Sequence, residues 1–223
     1  MLDFKQISWK ANDYSNPHYL GSRFRKARLK FFEDKIRKLD KPVTILDIGG
    51  TVKFWTDENY QHKDVLIIIV NIDAEKSPYP SINAISADAC DLSMFKDKSF
   101  DISFSNSLIE HLFTKENQFK MASEAMRVGK YYFIQTPNRY FPIEPHFKFP
   151  FFQFLPKSLQ IFLQTKTTLI NGFKYTRAYA ENITNEIRLL SKKEMLEFFP
   201  NGNLYVERCL GFSKSFTAYN LPD

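Results

Sequence analysis

The chain has 223 residues, of which 43% are hydrophobic and 25% charged, so it has the length and composition of one globular domain with a sizeable core. Its net charge is 31 − 25 = +6, and residues 23–41, with nine basic and three acidic side chains, carry that whole excess, which excludes a uniformly basic nucleic-acid binder. Two cysteines, Cys90 and Cys209, exclude a disulfide framework and a multi-cysteine metal site.

The first predicted element is a basic amphipathic helix over 23–41. Apolar side chains recur at helical spacing in two sets, Leu20, Phe24, Ala27, Phe31 and Leu29, Phe32, Ile36, Leu39. We expect this helix to end at Pro42 and to pack on the domain with its basic face in solvent. A phosphate-bearing or acidic partner is the alternative use of that face.

Five apolar runs predict strands: VTILDI (43–48), DVLIIIVNID (64–73), INAISAD (82–88), FDISFSN (100–106) and KYYFIQTPN (130–138). Helices are predicted at roughly 54–62 and around Phe119–Met126. Strands that alternate with helices indicate right-handed crossovers and a doubly wound, mostly parallel α/β sheet.

The alternation stops after residue 138. Five prolines from Pro137 to Pro156 and eight aromatic residues from Tyr140 to Phe162 exclude a regular strand or a long helix in that stretch. A Ser-capped helix with Glu194 at the capping-box position is then predicted over 191–200. Two further strands are predicted over 204–220, meeting at Gly211.

The carboxyl ends of the strands are where a doubly wound sheet binds its ligands. Asp47 ends the first strand, and Gly49-Gly50 lets a ligand approach the backbone closely. Asp73 suits ribose hydroxyls, and Asp88 suits an adenine edge, although either acid taken alone is as well explained as a turn or helix cap.

These motifs, in this order and spacing, resemble the class I S-adenosylmethionine-dependent methyltransferases over residues 43–138. ILDIGGT resembles the first motif, NID the ribose-binding acid, ADACDL the adenine-side motif, FDISFSNSLIEHL the fourth strand and RVGKYYFIQTPN the fifth. The resemblance implies a Rossmann-like sheet of seven strands with an antiparallel last strand, and S-adenosylmethionine as cofactor with S-adenosylhomocysteine as product. It implies cofactor contacts from Asp47, Gly49, Gly50, Thr51, Ile72, Asp73, Asp88, Ala89, Ser105 and Asn106. Apart from the resemblance, we expect Tyr19 and Arg23 to reach the cofactor's carboxylate from the N-terminal helix, with a surface salt bridge or plain solvation as the alternative for Arg23.

Three polar side chains are the candidate catalytic residues. Glu110 and His111 follow the fourth strand and His146 follows the fifth, and an imidazole that titrates near neutrality suits a general base. Structural histidines, with Glu110 as a cap or anchor of the next helix, are the alternative. Some family members bind a divalent metal through E-x-x-E-H and a later histidine; Ser107 replaces the first acid here, and we predict no metal.

Residues 139–185, the aromatic insert, are expected to form a substrate lid with contacts from Tyr140, Phe141 and His146. Its FKFPFFQFLP stretch (147–156) would close over the site or dock on a membrane or another subunit. The predicted single domain also includes a basic helical segment at 1–41, a cofactor-binding core at 42–138, and a C-terminal helix and strand pair at 186–223. The sequence leaves the oligomeric state open.

The predicted function is methyl transfer from S-adenosylmethionine to an oxygen or nitrogen of a small metabolite, sugar or lipid precursor. A nicotinamide oxidoreductase is disfavoured because GGTVKF lacks the third glycine of a pyrophosphate-binding loop. A non-catalytic scaffold subunit of the same fold and an RNA methyltransferase acting through 23–41 are the alternatives. The start MLDFKQISWK lacks the apolar core of a signal peptide and VLIIIV is too short to span a bilayer, so we expect a soluble cytoplasmic protein.

Overall fold

A computed structural model describes residues 20–222, apart from the side chain of Leu20. Its helices are α1 (Leu20–Ile36), α2 (Val52–Asp57), α3 (Lys115–Val128), α4 (Lys157–Lys166), α5 (Arg177–Glu186) and α6 (Lys192–Phe198). Its strands are β1 (Val43–Ile48), β2 (Val65–Asn71), β3 (Ile82–Ser86), β4 (Phe100–Asn106), β5 (Gly129–Pro137), β6 (Ile143–Glu144), β7 (Phe149–Pro150), β8 (Asn203–Cys209) and β9 (Phe212–Tyr219). Short 3₁₀ turns cover Tyr60–His62, Ile109–His111 and Phe152–Phe154.

Seven strands form one sheet in the order β3-β2-β1-β4-β5-β9-β8. Strands β1 to β5 pair in parallel, while β9 is antiparallel to both β5 and β8, which confirms the predicted Rossmann-like α/β fold with an antiparallel last strand. The strand order reverses between β1 and β4, and doubly wound sheets bind their ligands outside the carboxyl ends of the strands at such a point. Apart from Tyr19 and Arg23, the residues predicted to bind the cofactor lie at or just after the carboxyl ends of β1 to β4.

The helix predicted at 54–62 is wrong in its extent. The segment instead holds α2, which ends at Asp57, and a separate 3₁₀ turn at Tyr60–His62. Asn59 between them takes a left-handed conformation with φ of 59°, which an α-helix cannot contain. The break turns Tyr60 into the core, where it is fully buried against Trp55.

The aromatic insert has more regular structure than its composition predicts. A two-stranded hairpin, β6–β7, leads into the 3₁₀ turn and then into α4 and α5. The exclusion of a regular strand and a long helix holds as far as Pro156, where each strand has only two residues, and the ten-residue α4 begins at Lys157, directly after the last proline of the stretch. The ten residues of α4 have no proline to interrupt them.

The basic helix α1 is shorter than predicted. It ends at Ile36, well before Pro42. Of its two apolar sets, Leu29, Phe32 and Ile36 are buried, whereas Ala27 in the other set is exposed. This helix belongs to one compact unit, and Leu39–Pro222 form the other.

The C-terminal predictions are confirmed. Ser191 and Glu194 form a reciprocal capping box at the start of α6. Strands β8 and β9 meet at a turn in which Gly211 has φ of +83°, the left-handed region that glycine adopts without strain. Across residues 20–222, no helix is both long enough and apolar enough to cross a bilayer.

Candidate active site

The loop after β1 is built around a buried carboxylate. Asp47 Oδ2 accepts a hydrogen bond of 2.6 Å from the indole N–H of Trp55, which is itself fully buried. Burial raises the pKa of Asp47 to about 7, although the Trp55 hydrogen bond acts in the opposite direction. Gly50 is required beside it, since a Cβ at that position would lie 1.6 Å from Asp47 Oδ2.

Gly49 and Thr51 complete the turn. Gly49 has φ of +79°, and its N–H donates to Val70 O at 2.7 Å, which fixes the loop to β2. Thr51 stands where a third glycine is expected, and its hydroxyl accepts the Phe54 N–H at 3.3 Å as the N-cap of α2. Thr51, a predicted cofactor contact, therefore also has a local role in starting the helix.

Asn71 is a site residue that sequence reasoning missed. Its Nδ2 donates to Gly50 O at 2.9 Å, and its Oδ1 accepts the Asp73 N–H at 3.3 Å. The side chain thus holds the glycine loop and the predicted ribose-binding acid in one arrangement. An amide at the carboxyl end of an otherwise apolar strand was the available sequence signal.

The ends of β2 and β3 present the predicted nucleoside contacts at the same edge. Asp73 and Asp88 are both exposed, and Asp88 Oδ1 accepts the Cys90 N–H at 2.8 Å. Ile72 is 76% exposed, an apolar surface on which a flat base could lie, and Ala89 is half-buried. The arrangement offers a carboxylate for the ribose and another for the adenine amino group.

Strand β4 ends in two polar side chains with different roles. Ser105 is fully buried and its hydroxyl donates to Ile48 O at 2.8 Å, so it joins β4 to β1. Asn106 Oδ1 is buried and, within residues 20–222, has no hydrogen-bond partner. A buried acceptor without a donor costs free energy, and a ligand bound at this edge would supply one.

Glu110, His111 and His146 come together in one cluster, although they lie on different segments. One ligand atom from each lies within 4.8 Å of the others, and the two imidazole rings are 4.9 Å apart and nearly perpendicular. Glu110 is fully buried: its Oε2 accepts the hydroxyl of Thr136 at 2.9 Å, while its Oε1 has no hydrogen-bond partner among the described residues. It does not cap the next helix, because Thr114 does so.

Each histidine has a glutamate partner that sequence reasoning missed. His111 Nδ1 lies 2.8 Å from Glu186 Oε1, and His146 Nδ1 lies 2.6 Å from Glu144 Oε1. A carboxylate on Nδ1 keeps the proton there and leaves Nε2 as the nitrogen that can accept another. Both imidazoles are therefore held in the orientation and tautomer of a general base.

Glu144 holds His146 especially firmly. Its Oε2 accepts the backbone N–H groups of His146 and Phe147, each at 2.7 Å. Burial alone would lower the pKa of His146, but the charge and hydrogen bond of Glu144, with the charges of Glu110 and Glu186, outweigh it, so that pKa is raised. The same donor set of one carboxylate and two imidazoles could hold a divalent ion in an open site, and the absence of a metal stays a prediction.

The remaining predicted contacts lie on exposed surface or outside the described residues. Tyr140 is 63% exposed and stacks on Phe154 with ring centroids 6.0 Å apart, while Phe141 is half-buried. Arg23 is exposed on α1, and Tyr19 lies outside the described residues. Their contacts with substrate or cofactor stay predictions.

Part of the chain matches a known protein family, and a shorter part matches two curated proteins. Residues 34–131 match the family described as "Methyltransferase domain". Two uncharacterised proteins of Mycobacterium tuberculosis are 38% identical over 56 residues, which are 25% of this chain and 19% of theirs.

Solved structures share the fold at low identity. A SAM-dependent methyltransferase from Archaeoglobus fulgidus superposes with a TM-score of 0.55 at 15% identity, over 89% of this chain and 94% of that one. The N-terminal domain of EvdMO1, solved in the presence of SAH and D-fucose, superposes with a TM-score of 0.54 at 12% identity, over 100% and 98% of the two chains.

Proposed function

We propose that this chain, a class I S-adenosylmethionine-dependent methyltransferase by its sheet order and by its methyltransferase-domain segment 34–131, methylates a hydroxyl oxygen of a small metabolite, sugar or lipid precursor. The observation that supports an oxygen acceptor is the pair of carboxylate-bound imidazoles beyond β4 and β5. A hydroxyl must lose its proton when it is methylated, and such a pair provides the base.

The residues at the sheet edge fit S-adenosylmethionine. The missing Cβ atoms of Gly49 and Gly50 accommodate Leu108 and Asp47, which lets the loop turn sharply at the sheet edge, where its backbone can lie against the amino-acid part of the cofactor. Asp73 can accept hydrogen bonds from both ribose hydroxyls, and the unpartnered Asn106 Oδ1 can accept one from the ammonium group. When bound, the cofactor supplies an electrophilic methyl carbon on a positive sulfonium. The protein's part is to align the acceptor, exclude water and take up the acceptor's proton at a histidine Nε2.

The Asp73→Ala variant should bind S-adenosylhomocysteine about 5- to 150-fold more weakly than the wild type. The reason is the loss of hydrogen bonds to a charged carboxylate, worth about 1–3 kcal/mol. Calorimetric titration measures this directly, without any need to know the acceptor.

Asp64→Ala is the matched control, because Asp64 is an exposed acid beside the opposite end of β2. Its affinity should equal that of the wild type. Equal affinity in Asp73→Ala would remove Asp73 from the cofactor site. If the wild type itself does not bind, the loop is not a working cofactor site, and the scaffold alternative takes its place.

Turnover should rise with pH. The midpoint of this rising limb of the pH profile should lie above pH 6.5, the ordinary pKa of a histidine. His146 accepts a proton only when it is neutral, and its raised pKa delays that state to higher pH. In Glu144→Gln the charge that raises this pKa is gone, so the limb should move to lower pH and the plateau rate should fall. Glu197→Gln, which changes an exposed ion pair with Lys115, should leave the profile unchanged.

The same assay distinguishes base catalysis from metal catalysis. A strong chelator should leave turnover unchanged when the histidines act as bases. Loss of turnover that returns on addition of a divalent ion would instead assign Glu110, His111 and His146 to a metal. A rate without any limb above pH 6.5, and insensitive to Glu144→Gln, would point to an acceptor that needs no base.

A further inference from the structure

The aromatic insert exposes an unusual amount of apolar surface. Six of the fifteen exposed large apolar side chains found in residues 20–222 lie between positions 140 and 162. Single exposed apolar residues are normal, but a concentration of them marks a contact surface. These six residues, called the apolar face below, are Tyr140, Ile143, Phe151, Phe154, Leu159 and Phe162.

The first four members of the apolar face are held together by the backbone. Ile143 pairs with Pro150, and the Phe151 N–H donates to Pro142 O at 2.7 Å. Tyr140 stacks on Phe154. Beneath them Phe147 and Phe152 are buried with their rings 4.3 Å apart. The exposed rings therefore project from an anchored hairpin and are already ordered for binding.

Helix α4 buries two amide side chains and exposes two large apolar ones. Gln160 and Gln164 are its buried side chains, and Gln164 Nε2 donates to Thr184 Oγ1 at 2.8 Å inside the insert. Leu159 and Phe162, three positions apart on one side of the helix, are 41% and 53% exposed. Lys157 and Lys166 are exposed on the same helix, so its outer side combines apolar and basic side chains, as suits a helix on an anionic lipid surface.

Basic side chains alternate with the apolar face along the chain. The aromatic insert, residues 139–185, contains six Lys and Arg and two acids, so it carries 6 − 2 = +4. Glu144 is buried against His146 and Glu181 pairs with Arg177, while Arg139, Lys148, Lys157, Lys166 and Lys174 are exposed. A second copy of this face would meet it with like charge, which opposes self-association.

We propose that the aromatic insert docks this protein on the surface of an anionic lipid bilayer. Aromatic and aliphatic side chains would enter the headgroup boundary, and the lysines would lie against the lipid phosphates. The inference is independent of the proposed function, since it requires neither cofactor nor acceptor.

The test is co-sedimentation of the whole chain with vesicles. We expect binding to vesicles of equimolar phosphatidylcholine and phosphatidylglycerol, weak binding to phosphatidylcholine alone, and weakening of the former by added salt. Phe162→Ser should reduce binding to the anionic vesicles about tenfold or more, because the variant lacks one phenylalanine side chain that the bilayer would bury.

Phe119→Ser is the matched control, since Phe119 is 50% exposed on another helix, α3, and lies outside the insert. It should bind vesicles as the wild type does, and thermal unfolding would confirm that both variants are folded. Equal binding by the two variants, or no binding by the wild type, would overturn the proposal. A concentration-dependent dimer that Phe162→Ser abolishes would identify a second copy as the occupant and would overturn it as well.

Discussion

Replacing Gly50 with alanine is expected to weaken cofactor binding about sixtyfold or more. The new Cβ would lie 1.6 Å from Asp47 Oδ2, and the atoms around it cannot move apart easily because Asp47 and Trp55 are both buried. Overpacking costs about 1–3 kcal/mol, and breaking the hydrogen bond between Trp55 and the carboxylate costs about 1.5–3 kcal/mol more. Calorimetric titration with S-adenosylhomocysteine measures the loss.

Gly172→Ala separates a local effect from general destabilisation. A Cβ at Gly172 would have no atom within 4 Å, although the φ of +81° there makes alanine strained. We expect this variant to lose about 1 kcal/mol of stability and to keep full affinity. Undiminished binding by Gly50→Ala would show that the loop after β1 can shift without consequence, against its assignment as the cofactor loop.

The second large effect is expected at His146. His146→Ala should lower turnover by about 10²- to 10⁴-fold and leave S-adenosylhomocysteine affinity unchanged, because general-base catalysis contributes that much and the imidazole does not hold the cofactor. Single-turnover assays with an identified acceptor, together with calorimetry, would separate the two quantities.

Two further histidine variants test whether the loss of turnover is specific to His146. His62→Ala changes an exposed imidazole in the turn after α2 and should retain full activity. His111→Ala should also lower turnover if the two imidazoles share the proton, whereas full activity would remove His111 from that role. A fall in cofactor affinity in His146→Ala would contradict its role as a base alone.

The sheet was predictable because its signals are local. The run of β-branched residues in β2 and the order of strands and helices determine which segments pair, and β1 and β4 have the predicted boundaries. His111 and His146 were expected at the same edge of the sheet because they follow the neighbouring parallel strands β4 and β5, although the short strand β6 lies between β5 and His146. Such placements follow from sequence order and the geometry of the fold.

The glutamate partners of those histidines were harder to predict from the sequence. Glu186 is 75 positions from His111 and is the last residue of α5, just beyond the aromatic insert, so no local pattern connects the two. Glu144 stands two positions before His146, and that spacing could have been recognised. The break at Asn59 was missed because a single left-handed residue leaves little trace in hydrophobic periodicity.

The hydrogen bond between Trp55 and Asp47 gives the loop after β1, the proposed cofactor loop, a fluorescent reporter. The chain has two tryptophans, and the other, Trp9, lies outside the described residues. The Trp9→Phe variant would keep one indole, that of Trp55, which is buried and hydrogen-bonded to Asp47, the carboxylate that borders Gly50. Its emission would then follow the loop alone, so that ligands can be compared by fluorescence titration before any methyl acceptor is known.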